Sequence, residues 1–449
     1  MLVGIITLGC DKNTVDNEYL AGLLEDRGCE VVPLAEFDPD RTWDAVVVTT
    51  CGFICDAKQQ SIETMVDLAE RKKTSGNPAR VFVAGCLAQR YSGDLWKGIP
   101  EIDGMAGVGQ FDELARMVMD QRPAPGIKTC TVPPVPSINI YRFMRRRRLD
   151  NHPHAFLKIA DGCNHACAFC SIPLMKGRFR SVVPDILLRE ARELLSQGVR
   201  ELNLVAQDIS MYGQDLGGGC GLPRLLRDLC ALDGDFWVRC LYCYPGGVTQ
   251  QLIEVMASEP KIVPYLDIPL QHLDPEMLKR MKRPFPGLDA ARLADRLRSD
   301  VPGITLRTTM LVGFPGETPQ AHRRMLDGIE RIQFDRLGVF QFSCEEGTLA
   351  ASLPRQVGKP TRQKRYQNVM ELQAEISTQR NHQRIGQQVR VLIEGFDPDR
   401  KQWTGRSAAE APEVDGTVYV ASPQPLTPGQ FVPVKIISAE TYDVTGQAE

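Results

Sequence analysis

Three cysteines near the middle of the chain carry the strongest chemical signal in the sequence. Cys163, Cys167 and Cys170 form a C-x3-C-x2-C pattern. Three thiolates at this spacing can bind three irons of a four-iron cluster, which leaves the fourth iron open to a small ligand. An electron carrier normally closes that position, so the pattern predicts a 4Fe-4S cluster that takes part in chemistry. Three buried core cysteines are the alternative interpretation.

The residue before the last of these cysteines is aromatic, Phe169. In this respect the stretch resembles the radical S-adenosylmethionine enzymes, whose hallmark is the same triad with an aromatic residue at this position. The resemblance implies that the open iron chelates the amino and carboxylate groups of S-adenosyl-L-methionine and donates one electron to cleave it. Phe169 is therefore a predicted cofactor-binding residue.

A second set of cysteines is scattered along the first hundred residues. Cys10, Cys51 and Cys86 each lie within two residues of the end of a predicted parallel strand. Because such strand ends share one edge of a sheet, we expect the three thiols to converge on a second 4Fe-4S cluster with an open iron. Buried cysteines at strand ends are the alternative, and Cys55 is a competing ligand. A glycine, which allows close backbone approach, stands beside each cysteine: Gly9, Gly52 and Gly85.

These cysteines require a scaffold, and the first part of the chain predicts a parallel α/β domain. Short β-rich runs alternate with amphipathic helical stretches over residues 1–120. A proline-rich stretch at 123–136 then reads as a linker. The predicted strands are 2–8, 31–34, 45–50 and 81–84, and the predicted helices are 15–27, 58–73 and 111–121.

Strands and helices alternate again from residue 156 to about residue 343, which predicts an open, partial β/α barrel with its reactive groups in the loops after the strands. A polar helix at 361–383 leads to short β-like runs at 389–437, which predict a small β-barrel. The predicted barrel strands are 156–159, 201–206, 237–241, 265–268, 305–312 and 337–342. The predicted domains are 1–122, a linker at 123–150, 151–382 with the trailing helix, and 383–449.

This order of domains resembles the methylthiotransferases, which join an N-terminal domain bearing one cluster, a radical S-adenosylmethionine domain bearing another, and a C-terminal TRAM barrel. Five motifs resemble the ribosomal-protein branch, the RimO type: GCDKNTVD at 9–16, CGFI at 51–54, PLQH at 269–272, MKRP at 281–284 and VGFPGET at 312–318. Three residues depart from the branch, which usually has proline, arginine and proline at these positions: Asp11, Val182 and Cys344. None is a predicted ligand.

The resemblance implies transfer of a methylthio group to the β-carbon of an aspartate in the twelfth protein of the small ribosomal subunit. It also implies a second S-adenosyl-L-methionine, which methylates the sulfur beforehand. Radical chemistry is consistent with this target, because an unactivated C–H bond is beyond the usual reach of acid–base catalysis. The enzyme would also need an electron donor and a sulfur donor.

Charge along the chain is uneven. Residues 1–120 contain 11 Lys and Arg against 20 Asp and Glu, residues 121–386 contain 37 against 27, and residues 387–449 contain 5 against 9. An acidic terminal barrel favours a basic protein partner, such as a ribosomal protein, over RNA. A transfer-RNA adenosine methylthiotransferase of the MiaB type is the alternative function within the same family. A non-catalytic iron–sulfur sensor is the alternative from another class.

Several further residues are candidates with ordinary structural alternatives. Gln207 and Asp208 follow the second barrel strand, Gln271 follows the fourth, and Gly313 and Gly316 flank a turn; all five are predicted to bind cofactor. Loop residues that satisfy nearby backbone groups are the equal alternative. A solvent-facing loop position is favoured for His165, a structural role for His272 and core packing for the C-x2-C pair Cys240 and Cys243. Cys220 and Cys230 have no recognisable partner pattern.

Arg145 to Arg148 form a basic run that predicts either a solvated linker or, as the weaker reading, a contact with ribosomal RNA. Cysteines make up about 3% of a long chain, which favours a reducing cytoplasm over a disulfide scaffold. No apolar stretch approaches the roughly 18 residues of a membrane span. We expect a cytoplasmic monomer.

Overall fold

Two six-stranded parallel sheets and a closed five-stranded barrel follow one another along the chain. The protein is represented by a computed structural model, which describes residues 1–120, 129–133, 145–283 and 289–449. The predicted α/β multidomain class with a C-terminal β-barrel is confirmed. Within the described residues, every helix is too short or too polar to traverse a lipid bilayer.

The first sheet has the strand order β2-β1-β3-β4-β5-β6, and all of its pairings are parallel. Its central strand β3 is buried along its whole length, as expected for a valine-rich run covered on both faces. The elements are β1 (Leu2–Thr7), α1 (Asp11–Glu25), β2 (Glu30–Leu34), β3 (Ala45–Thr50), α2 (Cys55–Ser75), β4 (Val81–Gly85), α3 (Cys86–Gly98), β5 (Gly104–Ala106), α4 (Phe111–Met119) and β6 (Thr129–Thr131).

Three of these elements were missed by the sequence patterns. The strands β5 and β6 have three residues each, too few for a periodic signal. β6 lies inside the predicted linker, yet Thr129 pairs with Gly104 and extends the sheet. The helix α3 begins at Cys86 with no intervening loop, because Gly85 adopts a φ of 95° at the end of β4.

The second sheet has the order β14-β13-β12-β11-β10-β7, again fully parallel, and all six predicted barrel strands are confirmed. The edge strands β7 and β14 do not pair, so the barrel is open. Its elements are β7 (His154–Lys158), β8 (Ala160–Asp161), α5 (Ile172–Lys176), β9 (Arg180–Ser181), α6 (Pro184–Ser196), β10 (Glu201–Val205), α7 (Leu222–Cys230), β11 (Trp237–Cys240), α8 (Gln250–Ser258), β12 (Ile262–Asp267), α9 (Pro275–Arg280), α10 (Ala290–Asp300), β13 (Thr305–Val312), α11 (Pro319–Ile332), β14 (Arg336–Gln341) and α12 (Lys359–His382).

The other two domains fill the hollow of this open barrel. Val15 and Tyr19 of α1 form one apolar cluster with Tyr265 of β12 and with Ala411 from the C-terminal domain. The Tyr265 hydroxyl donates a hydrogen bond of 2.7 Å to Asp415. An open sheet would otherwise expose this inner face, so its burial explains why the three domains associate closely.

The C-terminal barrel has the strand order β15-β16-β17-β19-β18. Buried ion pairs fix it to the larger barrel: Arg406 bonds Glu201 of β10 at 2.6 Å, and Arg336 of β14 bonds Glu410 at 2.9 Å. Arg336 and Arg384 hold the pKa of the buried Glu410 at about 2, although burial alone would raise it. The strands are β15 (Gln388–Asp397), β16 (Gln402–Ser407), β17 (Val418–Ala421), β18 (Phe431–Ala439) and β19 (Val444–Ala448).

The basic run Arg145–Arg148 divides between the solvent and the interior of the protein. Arg146 is buried, donates from Nε to Glu18 of α1 at 2.5 Å and contacts Glu190 of α6 at 2.8 Å. It therefore joins the first domain to the open barrel. Tyr141, Arg142 and Phe143, which precede the run, lie outside the described residues.

We expect Arg146→Met to lower the free energy of unfolding by about 3 to 5 kcal/mol, because two buried carboxylates lose their shared cation. Arg145→Met is the matched control. The Arg145 side chain is 56% exposed in its pairs with Glu25 and Asp26, so its loss should cost about 1 kcal/mol or less. Urea unfolding of both variants measures the difference. Equal unfolding midpoints would contradict the bridging role of Arg146.

Candidate active site

The N-terminal triad, Cys10, Cys51 and Cys86, lies at one edge of the first sheet. The strands β1, β3 and β4 are neighbours, and Thr7 pairs with Thr49 while Thr50 pairs with Gly85. Each cysteine comes within three residues of its strand, so the register places all three thiols beyond the same carboxyl ends. Cys10 is exposed, Cys51 is half-buried and Cys86 is buried.

The backbone around the N-terminal triad leaves no room for side chains where the glycines stand. Gly9 has a φ of 108°, and a Cβ atom there would lie 3.0 Å from the Cβ of Cys51. A Cβ atom on Gly52 would lie 3.0 Å from the carbonyl of Cys86 and 2.9 Å from the sulfur of Met175. These glycines let the three cysteine-bearing loops approach closely, as a shared cluster requires.

The central triad, Cys163, Cys167 and Cys170, lies in the loop that follows β8. The backbone N–H of Cys163 donates to Gly177 at 3.1 Å, and the N–H of Ala168 donates to Met281 at 2.9 Å. Gly162 has a φ of 80°, and a Cβ atom there would lie 2.2 Å from the carbonyl oxygen of Arg178. The loop is thus tied to the chain on both sides and presents its thiols at the carboxyl ends of the barrel strands.

Arg283 is a cationic neighbour of the central triad. Its Nη1 donates to the sulfur of Cys167 at 3.2 Å, while Nη2 donates to the carbonyl of Pro269 at 2.6 Å. Its guanidinium also lies 4.5 Å from the ring centroid of Tyr244. Hydrogen bonds to cluster sulfurs adjust reduction potentials, so Arg283 is positioned to influence a cluster bound there.

Each triad supplies three thiolates, which is the donor chemistry of a four-iron cluster with one open iron. Such a cluster binds each thiolate at a separate corner. Among the described residues, no group of three His, Cys, Asp or Glu side chains is placed to hold a single metal ion. Burial raises the pKa of Cys86 and Cys170 to about 12 and that of Cys163 to about 11. These thiols would release their protons only on binding metal.

Four buried charges, here called the inter-triad ion cluster, lie between the two triads: Asp16, Lys158, Asp161 and Lys176. Asp16 comes from α1, six residues after Cys10, and Asp161 comes two residues before Cys163. Lys158 and Lys176 each contact both carboxylates. Lys176 and Lys158 hold the pKa of Asp161 at about 2, against the effect of burial. This ion cluster connects the first domain to the barrel at the level of both triads.

Two predicted cofactor residues, Gln207 and Asp208, have different surroundings. Gln207 donates to Asp161 at 3.0 Å, and its buried Oε1 has no hydrogen-bond partner among the described residues. The Asp208 carboxylate lies 2.7 Å from Nε2 of His165 and accepts from Ser210. His165 stacks on Tyr244 at 3.9 Å. Asp208 therefore holds His165 in the central-triad loop, and the histidine expected to face solvent is partly buried by these contacts.

The remaining predicted cofactor residues lie around the same end of the barrel. Gln271 has a φ of 71° and continues the parallel pairing beyond β12, because its N–H donates to Thr309 at 2.7 Å. Gly313 and Gly316 have φ values of 77° and 84°. Phe169 packs edge-on against Phe314 with a centroid distance of 6.5 Å. Phe314 thus connects the Gly313–Gly316 turn to the central-triad loop; contact of Gln271, Gly313, Gly316 and Phe169 with cofactor stays a prediction.

The other cysteines noted in the sequence differ in burial. Cys240 and Cys243 are fully buried in the barrel core, which agrees with the structural role favoured for this C-x2-C pair. Cys55 is exposed at the start of α2, and its N–H donates to Ser343 at 3.4 Å.

The sequence patterns missed Lys176 as a site residue, because its partners Asp16 and Asp161 are distant in sequence. Arg283 was also missed, although it lies inside the motif at 281–284 and could have been identified from it.

Three family descriptions match the three parts of the chain. Residues 2–107 match an uncharacterized protein family, UPF0004, residues 157–328 match the radical SAM superfamily, and residues 385–448 match the TRAM domain. Full-length relatives decide the family. A protein of Geotalea uraniireducens named ribosomal protein uS12 methylthiotransferase RimO is 41% identical, over 99% of this chain and 98% of its own.

The chain belongs to the RimO family of methylthiotransferases. Relatives of the same name from Desulforamulus reducens and Lachnoclostridium phytofermentans are 42% and 40% identical, over 99% and 100% of this chain and 99% and 100% of their own. The protein is a radical SAM methylthiotransferase, and family membership implies 4Fe-4S clusters and S-adenosyl-L-methionine as its cofactors. The sensor interpretation is disfavoured, as is the transfer-RNA branch.

Solved structures resemble this chain in fold alone. The radical S-adenosylmethionine methyltransferase TsrM from Kitasatospora setae aligns with a TM-score of 0.58 at 19% identity, over 76% of this chain and 74% of its own. The cobalamin-dependent enzyme OxsB aligns with a TM-score of 0.55 at 12% identity, over 84% of this chain and 56% of its own. These alignments support the parallel α/β architecture of the two larger domains.

Proposed function

We propose that this protein adds a methylthio group to the β-carbon of an aspartate in the small-subunit ribosomal protein uS12. The N-terminal triad and the central triad would each bind one 4Fe-4S cluster. When bound, the central cluster supplies the electron that cleaves S-adenosyl-L-methionine into a hydrogen-abstracting radical, and the other carries the sulfur to be transferred.

The observation that carries this proposal is the short connection between the triads. Cys170 is followed directly by α5, whose last residues, Met175 and Lys176, contact the surroundings of Cys51 and Cys86. A single helix of five residues therefore spans the interval from one triad to the other. Two open-iron clusters held this close could act on one substrate carbon, whereas an electron-transfer protein has no need for two open sites.

Several residues around the central triad have a role of their own in this proposal. Phe169 and Phe314 form an apolar wall behind the cysteine loop. Gln207 has a buried acceptor oxygen with no partner among the described residues. This oxygen suits a donor such as the amino group of the methionine part of S-adenosyl-L-methionine. We assign Gln271, Gly313 and Gly316 to the binding of the nucleoside part, since their backbones line the same strand ends.

A basic substrate protein agrees with the charge of the chain ends. Residues 387–449 carry 5 basic against 9 acidic side chains, and an acidic surface attracts a basic ribosomal protein. Both triads belong to one chain, so we propose that the protein acts as a monomer. We also propose that it is cytoplasmic and that it receives electrons and sulfur from separate donors. Arg146 is already engaged inside the protein, so a ribosomal RNA contact of the run Arg145–Arg148 stays a prediction for its exposed members, such as Arg145.

The test uses the anaerobically reconstituted protein with dithionite and S-adenosyl-L-methionine. It is given uS12 and, in parallel, a transfer-RNA anticodon stem-loop. We expect a mass increase of one methylthio group on the aspartate-containing peptide of uS12, together with 5′-deoxyadenosine. Methylthiolation of the RNA alone would refute the proposed substrate, and absence of 5′-deoxyadenosine would refute radical cleavage by this protein.

A further inference from the structure

Lys176 is a buried cation at the N-terminal triad. It belongs to neither set of predicted cluster ligands, so its role has to be found in its own contacts. It is the last residue of α5, and its side chain is 3% exposed. The neighbouring Met175 touches the loop of Cys51, since a Cβ atom on Gly52 would lie 2.9 Å from the Met175 sulfur. Lys176 thus comes from the central-triad side of the site and ends beside the N-terminal triad.

The ammonium group of Lys176 is loosely held by its carboxylate partners. It donates to Asp16 Oδ2 and to Asp161 Oδ2, and both distances are 3.4 Å. Lys158 makes a much shorter contact with the other oxygen of Asp16. An ammonium has three N–H donors, and within the described part of the chain Lys176 has no third acceptor. A buried donor without an acceptor is costly, which indicates that a ligand accepts from it.

The helix that carries Lys176 packs against the N-terminal triad. α5 contacts α3, which begins at Cys86, and a Cβ atom on Gly52 would lie 2.9 Å from the sulfur of Met175 and 3.0 Å from the carbonyl of Cys86. Lys158 belongs instead to β7, the first strand of the open barrel. Of the two lysines, Lys176 is therefore the one whose segment borders the N-terminal triad. The pKa of Cys86 agrees with this position, because burial raises it and the charge of Lys176 opposes the rise.

The charge of the donor specifies the kind of ligand, because an ammonium N–H bonds most strongly to an anionic acceptor. Asp16, Asp161, Lys158 and Lys176 sum to zero, so the two carboxylates already balance the two lysines. A small anion at the open position of the N-terminal triad would accept the remaining N–H of Lys176 beside the buried Cys86. Hydrosulfide and methanethiolate are such anions, and both are sulfur species that could be transferred.

We propose that Lys176 donates a hydrogen bond to the anionic sulfur atom held at the N-terminal triad, and thereby retains hydrosulfide or methanethiolate there until transfer. This inference rests on the proposed function, because it requires a cluster on Cys10, Cys51 and Cys86. Lys176 would be a sulfur-binding residue, while Asp16 and Asp161 position its ammonium.

The test measures sulfur binding directly in the full-length protein reconstituted with both clusters. Sodium methanethiolate is titrated into the reduced protein, and its dissociation constant is read from the change in the electron paramagnetic resonance spectrum. We expect Lys176→Met to weaken binding by about tenfold or more, as for loss of a hydrogen bond to a charged group. Lys176→Arg should recover part of the affinity. Iron content should match the unmodified protein, which shows that both clusters are present.

Lys158→Met is the matched control, because Lys158 has the same burial and the same two carboxylate partners. We expect it to destabilise the fold as much as Lys176→Met but to change methanethiolate affinity by less than about twofold. Should Lys176→Met fail to fold, the charge-neutral double variant Lys176→Met with Asp161→Asn replaces it.

The outcomes separate this inference from the proposed function. Unchanged affinity in a fully iron-loaded Lys176→Met protein would overturn the role of Lys176 alone. Equal weakening by Lys158→Met would also overturn it, since the effect would then belong to the whole ion cluster. If Cys51→Ser and Cys55→Ser each retain all of the iron of the unmodified protein, the N-terminal cluster itself is absent and the proposed function fails.

Discussion

Alanine at Cys163, Cys167 or Cys170 is expected to reduce the cleavage of S-adenosyl-L-methionine by at least about 1,000-fold, equivalent to about 4 kcal/mol of barrier. Each substitution removes one of three thiolates that can bind the central cluster, and no other described cysteine lies in that loop. Without the cluster no electron reaches the cofactor. The measurement is 5′-deoxyadenosine formation by chromatography, after anaerobic reconstitution and reduction with dithionite.

Cys220→Ala is the matched control for these variants. Cys220 belongs to the same barrel and is half-buried like the triad cysteines, but it lies in the loop before α7. Its replacement should leave iron content and 5′-deoxyadenosine formation unchanged. A Cys163→Ala protein that still cleaves the cofactor at the rate of the Cys220→Ala protein would rule out the central triad as the radical-generating site.

Cys51→Ser should separate the two halves of the reaction. We expect 5′-deoxyadenosine to form at close to the normal rate, because the central triad is intact, while methylthiolated uS12 falls by at least about 1,000-fold. The iron content should fall to about half, because one of two four-iron clusters is lost. Product mass spectrometry and iron analysis on the same reconstituted sample test both parts of this expectation.

Cys55→Ser decides between the two cysteines of this segment. Cys55 is four residues from Cys51 and exposed at the start of α2, and it was the competing ligand on sequence grounds. If the triad contains Cys51, Cys55→Ser retains iron and product formation. The opposite pattern, with iron lost in Cys55→Ser and kept in Cys51→Ser, would replace Cys51 by Cys55 in the ligand set.

Much of the architecture could be predicted because it is written in local patterns. All six strands of the open barrel were identified, since each is an apolar run followed by a helical period. The helix predicted at 361–383 is observed as Lys359–His382. The strand β6 was missed because three residues, Thr129–Thr131, have no periodicity and join the sheet only through their partner β5.

The candidate site divides in the same way. The sequence groups the central triad by its spacing, and it groups Cys10, Cys51 and Cys86 by their positions at strand ends. By contrast, Arg146 was read as part of a solvated run, although it is buried between two glutamates. Its partner Glu18 is 128 residues away, and local charge patterns hold no information about such pairs.

By itself the sequence determined the donor chemistry of both triads and the parallel sheets that present them, because ligand spacing and strand periodicity are local properties of a chain. Only the tertiary structure decided how the triads are joined. Lys176 meets Asp16 across 160 residues of sequence, and that contact exists only once the first domain packs into the open barrel. Desolvation then makes the pairing of these charges obligatory, since an unpaired buried ion would be far more costly than a paired one.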